Sequence, residues 1–177
     1  DATDFDSCRA LVAAAATNGL DVLCNISGML KWGPSTEFAV EDFERILKIN
    51  TTSVFVLCQA ALPHLIKSKG NIVNTASTAA LQGIAYTIAY SASKHGVAAI
   101  TKGLAVEFAA KGVRVNAICP GHVNTPMGNS APPAGDALGI GAAVGSRILP
   151  RPPRHGRRVD RGAGGLERLD VGEGDEA

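Results

Sequence analysis

The feature that most constrains the fold is a regular alternation of short apolar stretches and longer helical patterns over residues 1–128. The apolar stretches predict strands, and the patterns between them predict helices. The predicted strands are 20–25, 71–75 and 113–118; the predicted helices are 6–17, 40–69 and 90–111. Asp4 or Asp6 is expected to cap the first helix, while Gly70 and Gly112 are expected to end the other two. Strands that alternate with helices longer than about ten residues predict an α/β fold, whose parallel sheet has right-handed crossovers and helices on both faces.

Composition changes abruptly after Gly128. The 49 residues that follow hold 10 of the 20 glycines and 5 of the 9 prolines, and they contain neither lysine nor an aromatic residue. A chain of this kind buries too little apolar surface to offset its ordering entropy. We therefore predict one folded domain over residues 1–128 and a disordered Gly/Pro/Arg-rich tail over residues 129–177. A helix-like patch at residues 137–149 is weakened by three glycines.

Charge and cysteine spacing restrict the partners. The net charge is only +1, so no electrostatic surplus attracts nucleic acid or anionic lipid. Uninterrupted apolar runs are far shorter than the roughly 18 residues that a membrane span needs, and no secretory signal pattern opens the chain. The four cysteines and four histidines show no metal-ligand spacing. We expect a cytoplasmic protein with reduced thiols, no metal, no nucleic-acid partner and no membrane partner.

Tyr90 and Lys94 are the most informative pair in the chain. Residues four apart on a helix lie one above the other on the same face. A lysine cation beside a phenol lowers its pKa towards neutrality, which suits proton exchange with an alcohol or carbonyl. The alternative is an ordinary helix start with an amphipathic tyrosine and a solvated lysine.

Ser77 follows the predicted strand 71–75. Ligands of parallel sheets bind beyond the carboxyl ends of the strands, so Ser77 and the start of the Tyr90 helix are expected to meet at one crevice. A hydroxyl there can donate a hydrogen bond to a substrate oxygen. The alternative is a loop serine without a chemical role.

Several motifs in register resemble those of the short-chain dehydrogenase/reductase family over roughly residues 1–127. They are Asp-Ala at 1–2, Asp-Val-Leu-Cys-Asn-Ile-Ser-Gly at 21–28, Phe-Glu-Arg-Ile-Leu-Lys-Ile-Asn at 43–50, Ser77, Tyr-Ser-Ala-Ser-Lys at 90–94, and Asn-Ala-Ile-Cys-Pro-Gly-His-Val-Asn-Thr at 116–125. In the second motif, Ile26 and Ser27 replace the family's Asn and Ala. The resemblance implies a Rossmann-like, doubly wound parallel sheet.

The resemblance also implies an activity, hydride transfer between NAD or NADP and a small alcohol or carbonyl substrate. Tyr90 is the implied acid/base, Lys94 lowers its pKa and holds the nicotinamide ribose, Ser77 orients the substrate, and Asn50 holds a water. The implied cofactor contacts are Asp1, Ala2, Asn25, Ser27, Gly28, Tyr90, Lys94, Pro120, Gly121, Val123 and Thr125. The intact parent is expected to be a homodimer or homotetramer, with helix faces around residues 54–65 and 97–108 at the interface.

The chain departs from the family pattern at both ends. The family's first strands and glycine-rich turn precede the position of Asp1, and its last helix and last strand have no counterpart after Met127. A change of reading frame or a genuine unstructured tail would each explain the C-terminal composition. Residues 139–145 superficially match a dinucleotide fingerprint, but no strand precedes them, so we attribute this match to chance.

We therefore expect a truncated family member that is inactive as a fragment. Two other functions stay open: an epimerase or dehydratase of the family's extended branch, and a non-catalytic fragment that serves as an interaction module.

Overall fold

The computed structural model describes residues 1–130 and, separately, Arg147–Ile148. Helices and strands alternate along this part of the chain, as the sequence predicted. The elements are α1 (Phe5–Ala15), β1 (Val22–Asn25), α2 (Val40–Leu47), a π-helical turn (Lys48–Thr52), α3 (Ser53–Ser68), β2 (Asn71–Thr75), a 3₁₀ turn (Thr78–Ala80), α4 (Ile88–Phe108), a second 3₁₀ turn (Ala109–Lys111), β3 (Arg114–Cys119) and β4 (Arg147–Ile148). The rest of the tail lies outside the described residues.

Local signals set the ends of the helices. Asp4 is the N-cap of α1, and its carboxylate accepts hydrogen bonds from the second and third amides of that helix. Gly112 has φ 81°, a conformation that favours glycine, and it ends the helical run before β3. Gly70 follows α3, where a Cβ atom would lie 2.4 Å from the carbonyl oxygen of Asp21. These positions confirm the predicted cap and the two predicted stops.

The strands form one sheet in the order β1-β2-β3-β4. The first three are parallel, and Asn74 of β2 is in register with Asn25 of β1 and Ala117 of β3. The predicted parallel sheet is therefore confirmed. β4 adds an antiparallel edge that pairs with the end of β3. Arg147–Ile148 is thus extended, so the predicted helix-like patch is wrong at these two residues; its other residues lie outside the described part.

Burial alternates along the strands with a period of two. Ile72 and Asn74 are fully buried in β2, whereas their neighbours on the strand are only half-buried. The buried side chains of β2 and β3 belong to one core with α3 and α4. Among the described residues, α3 and α4 therefore pack with the sheet in this one core.

The predicted single helix over residues 40–69 contains a π-helical turn at Lys48–Thr52. Such turns insert an extra residue into a helix and are frequent at functional sites. Here the turn carries Asn50, whose buried side chain bonds to the main chain of the segment after β1. Hydrophobic periodicity does not reveal this tertiary contact.

The helical run Val40–Ser68 has 29 residues and contains an 18-residue window with a mean hydropathy of 1.3, so it is long and apolar enough to cross a membrane. Length and composition alone are weak evidence for a span, because a core helix of a soluble protein has the same properties. In this structure the apolar side of α3 packs in the same core as the sheet. The core explains the apolar composition of the run.

Candidate active site

Ser77 and Tyr90 meet beyond the carboxyl end of β2. Ser77 is buried and begins the 3₁₀ turn, where its Oγ accepts a hydrogen bond of 3.1 Å from the amide of Ala79. Tyr90, in the first turn of α4, has a side-chain hydrogen bond with Ser77. Burial raises the pKa of the Tyr90 phenol above its usual 10.0, and the bond to Ser77 partly opposes this rise. The structure therefore brings together the predicted acid/base and the predicted substrate-orienting hydroxyl.

Lys94 lies one turn further along α4 and is only 4% exposed. Its Nζ donates a hydrogen bond of 2.7 Å to the carbonyl oxygen of Thr75 and lies 5.7 Å from the centroid of the Tyr90 ring. Burial lowers the pKa of Lys94 to about 8, and Cys119 opposes part of this shift. Burial is the largest influence on Tyr90, so the pKa of its phenol rises where the sequence predicted a fall.

Asn50 is completely buried in the π-helical turn. Its Oδ1 accepts a hydrogen bond from the Met29 amide, and its Nδ2 donates to the Met29 carbonyl, both at 2.8 Å. A further bond of 3.0 Å runs from Nδ2 to Ser93 Oγ. These bonds use both N–H donors of the carboxamide and one lone pair of Oδ1, so Oδ1 can still accept a hydrogen bond from a water.

Gly28 lies close to both Asn50 and Lys94. A Cβ atom at Gly28 would be 3.3 Å from Asn50 Oδ1 and 3.4 Å from Lys94 Nζ. The contact with Asn50 Oδ1 would be tighter than most real Cβ contacts, so a larger residue would push that oxygen away by a few tenths of an ångström. The glycine therefore lets the segment after β1 approach the base of the site.

A groove of about 430 Å³ runs along the outer side of β1. It brings together four of the residues predicted to contact a cofactor, namely Asp1, Ala2, Asn25 and Ser27. Apolar side chains of α1, β1 and α3 form much of its remaining wall. The amide of Asn25 faces the core, where it donates to Asn74 Oδ1 at 2.8 Å and to Cys58 Sγ at 3.4 Å.

The predicted Pro-Gly segment follows β3 and is tied to the Ser77 loop. The carbonyl oxygen of Pro120 accepts a hydrogen bond of 3.0 Å from the amide of Thr78. Gly121 is half-buried, whereas Val123 is 49% exposed. Thr125 is also exposed, and its Oγ1 accepts a bond of 3.0 Å within its own turn. Pro120 therefore lies beside the Ser77 loop, while Val123 and Thr125 extend towards solvent.

A model of the short chain dehydrogenase family matches residues 1–149. The chain belongs to the short-chain dehydrogenase family. The match extends beyond Gly128, where the composition changes.

Individual relatives agree with this assignment. D-threitol dehydrogenase of Mycolicibacterium smegmatis is 38% identical over 143 residues, which cover 78% of this chain and 55% of that enzyme. The crystal structure of levodione reductase has a TM-score of 0.69 and 34% identity, and the match covers 72% of this chain and 51% of that one. ElxO with bound NADP has a TM-score of 0.66 and 36% identity, with 68% and 50% coverage. The chain spans about half the length of the curated relatives it matches.

A buried polar network in this family member was missed by the sequence reasoning. The Asn25 amide bonds to Asn74 Oδ1, and Asn74 Nδ2 donates to Thr101 Oγ1 at 2.9 Å, so the network joins β1, β2 and α4. Asn74 and Thr101 are both buried, and their buried neighbours along β2 and α4 include Ile72, Ala98 and Leu104. A polar residue at a core position of a strand or helix needs a partner, and this was the available signal.

Proposed function

We propose that the protein carrying this chain transfers a hydride between NAD or NADP and a small alcohol or carbonyl substrate. The observation that carries the proposal is the convergence of Ser77, Tyr90 and Lys94 at the carboxyl end of β2, with a Ser77–Tyr90 hydrogen bond and Lys94 bound to the last carbonyl of the strand. The names of D-threitol dehydrogenase and levodione reductase, and the NADP bound to ElxO, support this choice of reaction and cofactor.

The residues present fit such a cofactor. Gly28 leaves room beside Lys94 Nζ that any larger side chain would fill. The ammonium of Lys94 has three N–H donors, and the structure describes one hydrogen bond from it, to Thr75. Lys94 can therefore also donate to ribose hydroxyls, while Asp1, Ala2 and Ser27 line the adjoining groove.

When bound, the nicotinamide ring supplies or accepts the hydride. Tyr90 donates its phenolic proton to the carbonyl oxygen during reduction and takes the proton back from the alcohol during oxidation. The raised pKa keeps this phenol protonated at neutral pH, which favours the donor role. Ser77 donates a hydrogen bond to the same substrate oxygen and so stabilises its developing charge.

Tyr90→Phe tests this function in the full-length protein. The variant removes the proton donor and keeps the ring, so turnover should fall by about 10²- to 10⁴-fold while cofactor affinity barely changes. Lys94→Ala should reduce both turnover and cofactor affinity. Lys102→Ala is the matched control, because Lys102 is exposed on the same helix. Normal turnover in Tyr90→Phe would refute the proposed role of the phenol.

We further propose that residues 1–177 alone bind NAD(P) poorly. The matched relatives are about twice as long as the segments they share with this chain. In the described residues, the outer side of β1 faces the groove without a neighbouring strand. Fluorescence titration of this polypeptide with NADH and NADPH tests the proposal, and micromolar affinity for either nucleotide would overturn it.

Self-association through α3 and α4 is also part of the proposal. Phe55 on α3 is 42% exposed, and Val106 on α4 is 73% exposed. Near Val106, a Cβ atom at Gly103 would contact nothing within 4 Å, so the surface there is open. Such faces permit close helix–helix packing in a symmetric dimer or tetramer.

We place the protein in the cytoplasm. All four cysteines, at positions 8, 24, 58 and 119, are free, which agrees with a reducing compartment. The net charge of +1 supports a small-molecule substrate over nucleic acid or an anionic membrane. Fractionation of cells that express the full-length protein tests this location.

A further inference from the structure

Ser93 lies between Tyr90 and Lys94 on α4 and has no exposed surface. Its Oγ accepts a hydrogen bond of 3.0 Å from Asn50 Nδ2 and donates one of 2.7 Å to the carbonyl oxygen of Tyr90. An amide N–H can only donate and a carbonyl oxygen can only accept, so both directions are fixed. We call this pair of hydrogen bonds, from Asn50 through Ser93 to Tyr90, the Ser93 bridge.

The main chain of Ser93 is attached to the same π-helical turn. Thr51 Oγ1 donates a hydrogen bond of 2.9 Å to the Ser93 carbonyl. One turn further along α4, a Cβ atom at Gly96 would lie 2.8 Å from Thr51 Cγ2, so the helix and the turn are in close contact. Consecutive residues of the π-helical turn therefore hold the side chain and the main chain of Ser93.

The other end of the bridge reaches the segment after β1. Asn50 binds both the amide and the carbonyl of Met29, and its Oδ1 is next to the space beside Gly28. A continuous set of hydrogen bonds thus runs from Met29 through Asn50 and Ser93 to the main chain of Tyr90.

We propose that Ser93 is a positioning residue, which sets the place of Tyr90 relative to Ser77 and to the segment after β1 by bonding Asn50 to the Tyr90 carbonyl. This inference rests on the proposed function only in taking Tyr90 as the proton donor. Serine is a poorer helix former than alanine, so helix propensity does not explain a serine at position 93. The two hydrogen bonds of its hydroxyl do explain it. Alanine would fit the same space but would leave the Asn50 N–H and its buried surroundings without this partner.

The geometry predicts a measurable effect on the phenol. Tyr90 depends on its position for the hydrogen bond to Ser77, which lowers its pKa against the effect of burial. A displaced Tyr90 loses part of that bond, so Ser93→Ala should raise the pKa of Tyr90 further. Lys94, the cation nearest the ring at 5.7 Å, is retained in the variant.

The experiment is an ultraviolet titration of phenolate absorbance in the full-length protein. Subtracting the titration curve of the matching Tyr90→Phe variant from that of each protein isolates the contribution of Tyr90. Ser93→Thr keeps the hydroxyl and should restore the original pKa. Ser91→Ala is the matched control, because Ser91 is also buried on α4 but bonds to Thr87 Oγ1 at 2.9 Å. That control should leave the titration unchanged.

Turnover provides a second readout. Ser93→Ala should lower kcat by about 10- to 100-fold, with a much smaller change in the cofactor KM, because small misplacements of reacting groups are costly. Equal titration shifts in Ser93→Ala and Ser91→Ala would overturn the proposal, and so would a failure of Ser93→Thr to restore the pKa. If Ser93→Ala does not fold, Ser93→Cys keeps the shape with a weaker donor, and an unshifted pKa in that variant would contradict the bridge.

These outcomes separate the two proposals, because the titration does not require turnover. Suppose that Ser93→Ala shifts the pKa of Tyr90 but the unsubstituted full-length protein has no NAD(P)-dependent activity. That result would retain Ser93 as a positioning residue and refute the proposed function. Normal activity together with an unshifted pKa of Tyr90 in Ser93→Ala would retain the proposed function and refute the role of Ser93.

Discussion

Asn74→Ala is expected to be among the most destabilising polar substitutions in this protein. Asn74 is completely buried in β2, accepts a hydrogen bond from Asn25 Nδ2 and donates one to Thr101 Oγ1. Alanine removes both bonds and leaves the buried Asn25 amide with only its 3.4 Å contact to Cys58 Sγ. The loss therefore affects β1, β2 and α4 together.

The magnitude follows from these contacts. Losing the bond to Thr101 costs about 1 kcal/mol, and losing the bond from Asn25, which strands a buried amide, costs about 1 to 3 kcal/mol. We expect the free energy of unfolding to fall by about 2 to 4 kcal/mol, a large part of the roughly 5 to 15 kcal/mol of a typical domain. With a urea slope of about 2 kcal/mol per molar, the midpoint should move down by about 1 to 2 M.

Urea unfolding followed by far-ultraviolet circular dichroism measures this difference. Asn71→Ala is the matched control on the same strand, because Asn71 Oδ1 is buried without a hydrogen-bond partner in the described part of the structure. Asn71→Ala should lower the free energy of unfolding by less than about 1 kcal/mol. A double-mutant cycle between Asn74→Ala and Thr101→Val should show coupling of about 1 kcal/mol. Equal destabilisation by the Asn74 and Asn71 variants would refute the network argument.

Three further predictions follow from burial and exposure. Burial lowers the pKa of Lys94 from 10.5 to about 8, so the folded protein loses this proton before the unfolded chain does. The free energy of unfolding should therefore rise by about 1 to 3 kcal/mol relative to Lys94→Met between pH 8 and pH 10.5, and a constant difference in urea titrations would contradict this. Iodoacetamide should alkylate exposed Cys24 in the native protein but not Cys58, which is fully buried and whose pKa burial raises to about 11; mass spectrometry of labelled peptides would reveal the reverse. Val106→Glu should shift the full-length protein to monomer in sedimentation velocity, and an unchanged oligomer would exclude α4 from the interface.

Local sequence signals predicted the strand and helix boundaries well. The strand predicted at 71–75 matches β2, and Gly112 ends the third helical run as expected. Asp4 caps α1, although that helix begins and ends slightly before the predicted 6–17. These features depend on hydrophobic period, caps and glycine conformation, all of which act between near neighbours in the chain.

The convergence of Ser77, Tyr90 and Lys94 could also be predicted, because the carboxyl ends of parallel strands share one edge of the sheet. The π-helical turn, the Ser93 bridge and the Asn74 network could not, since each depends on partners far apart in sequence. Pattern recognition identified residue types, but it did not reveal which buried polar groups would pair.

The sequence by itself determined the order of the elements, their parallel pairing and the identity of the candidate acid/base, through periodicity and turn chemistry that any chain expresses locally. Only the tertiary structure decided the protonation behaviour. Packing buries Tyr90 and Lys94, so desolvation raises the pKa of the phenol and lowers that of the amine. The cost of moving a charge out of water depends on every element packed around it, and no local stretch of sequence contains that information.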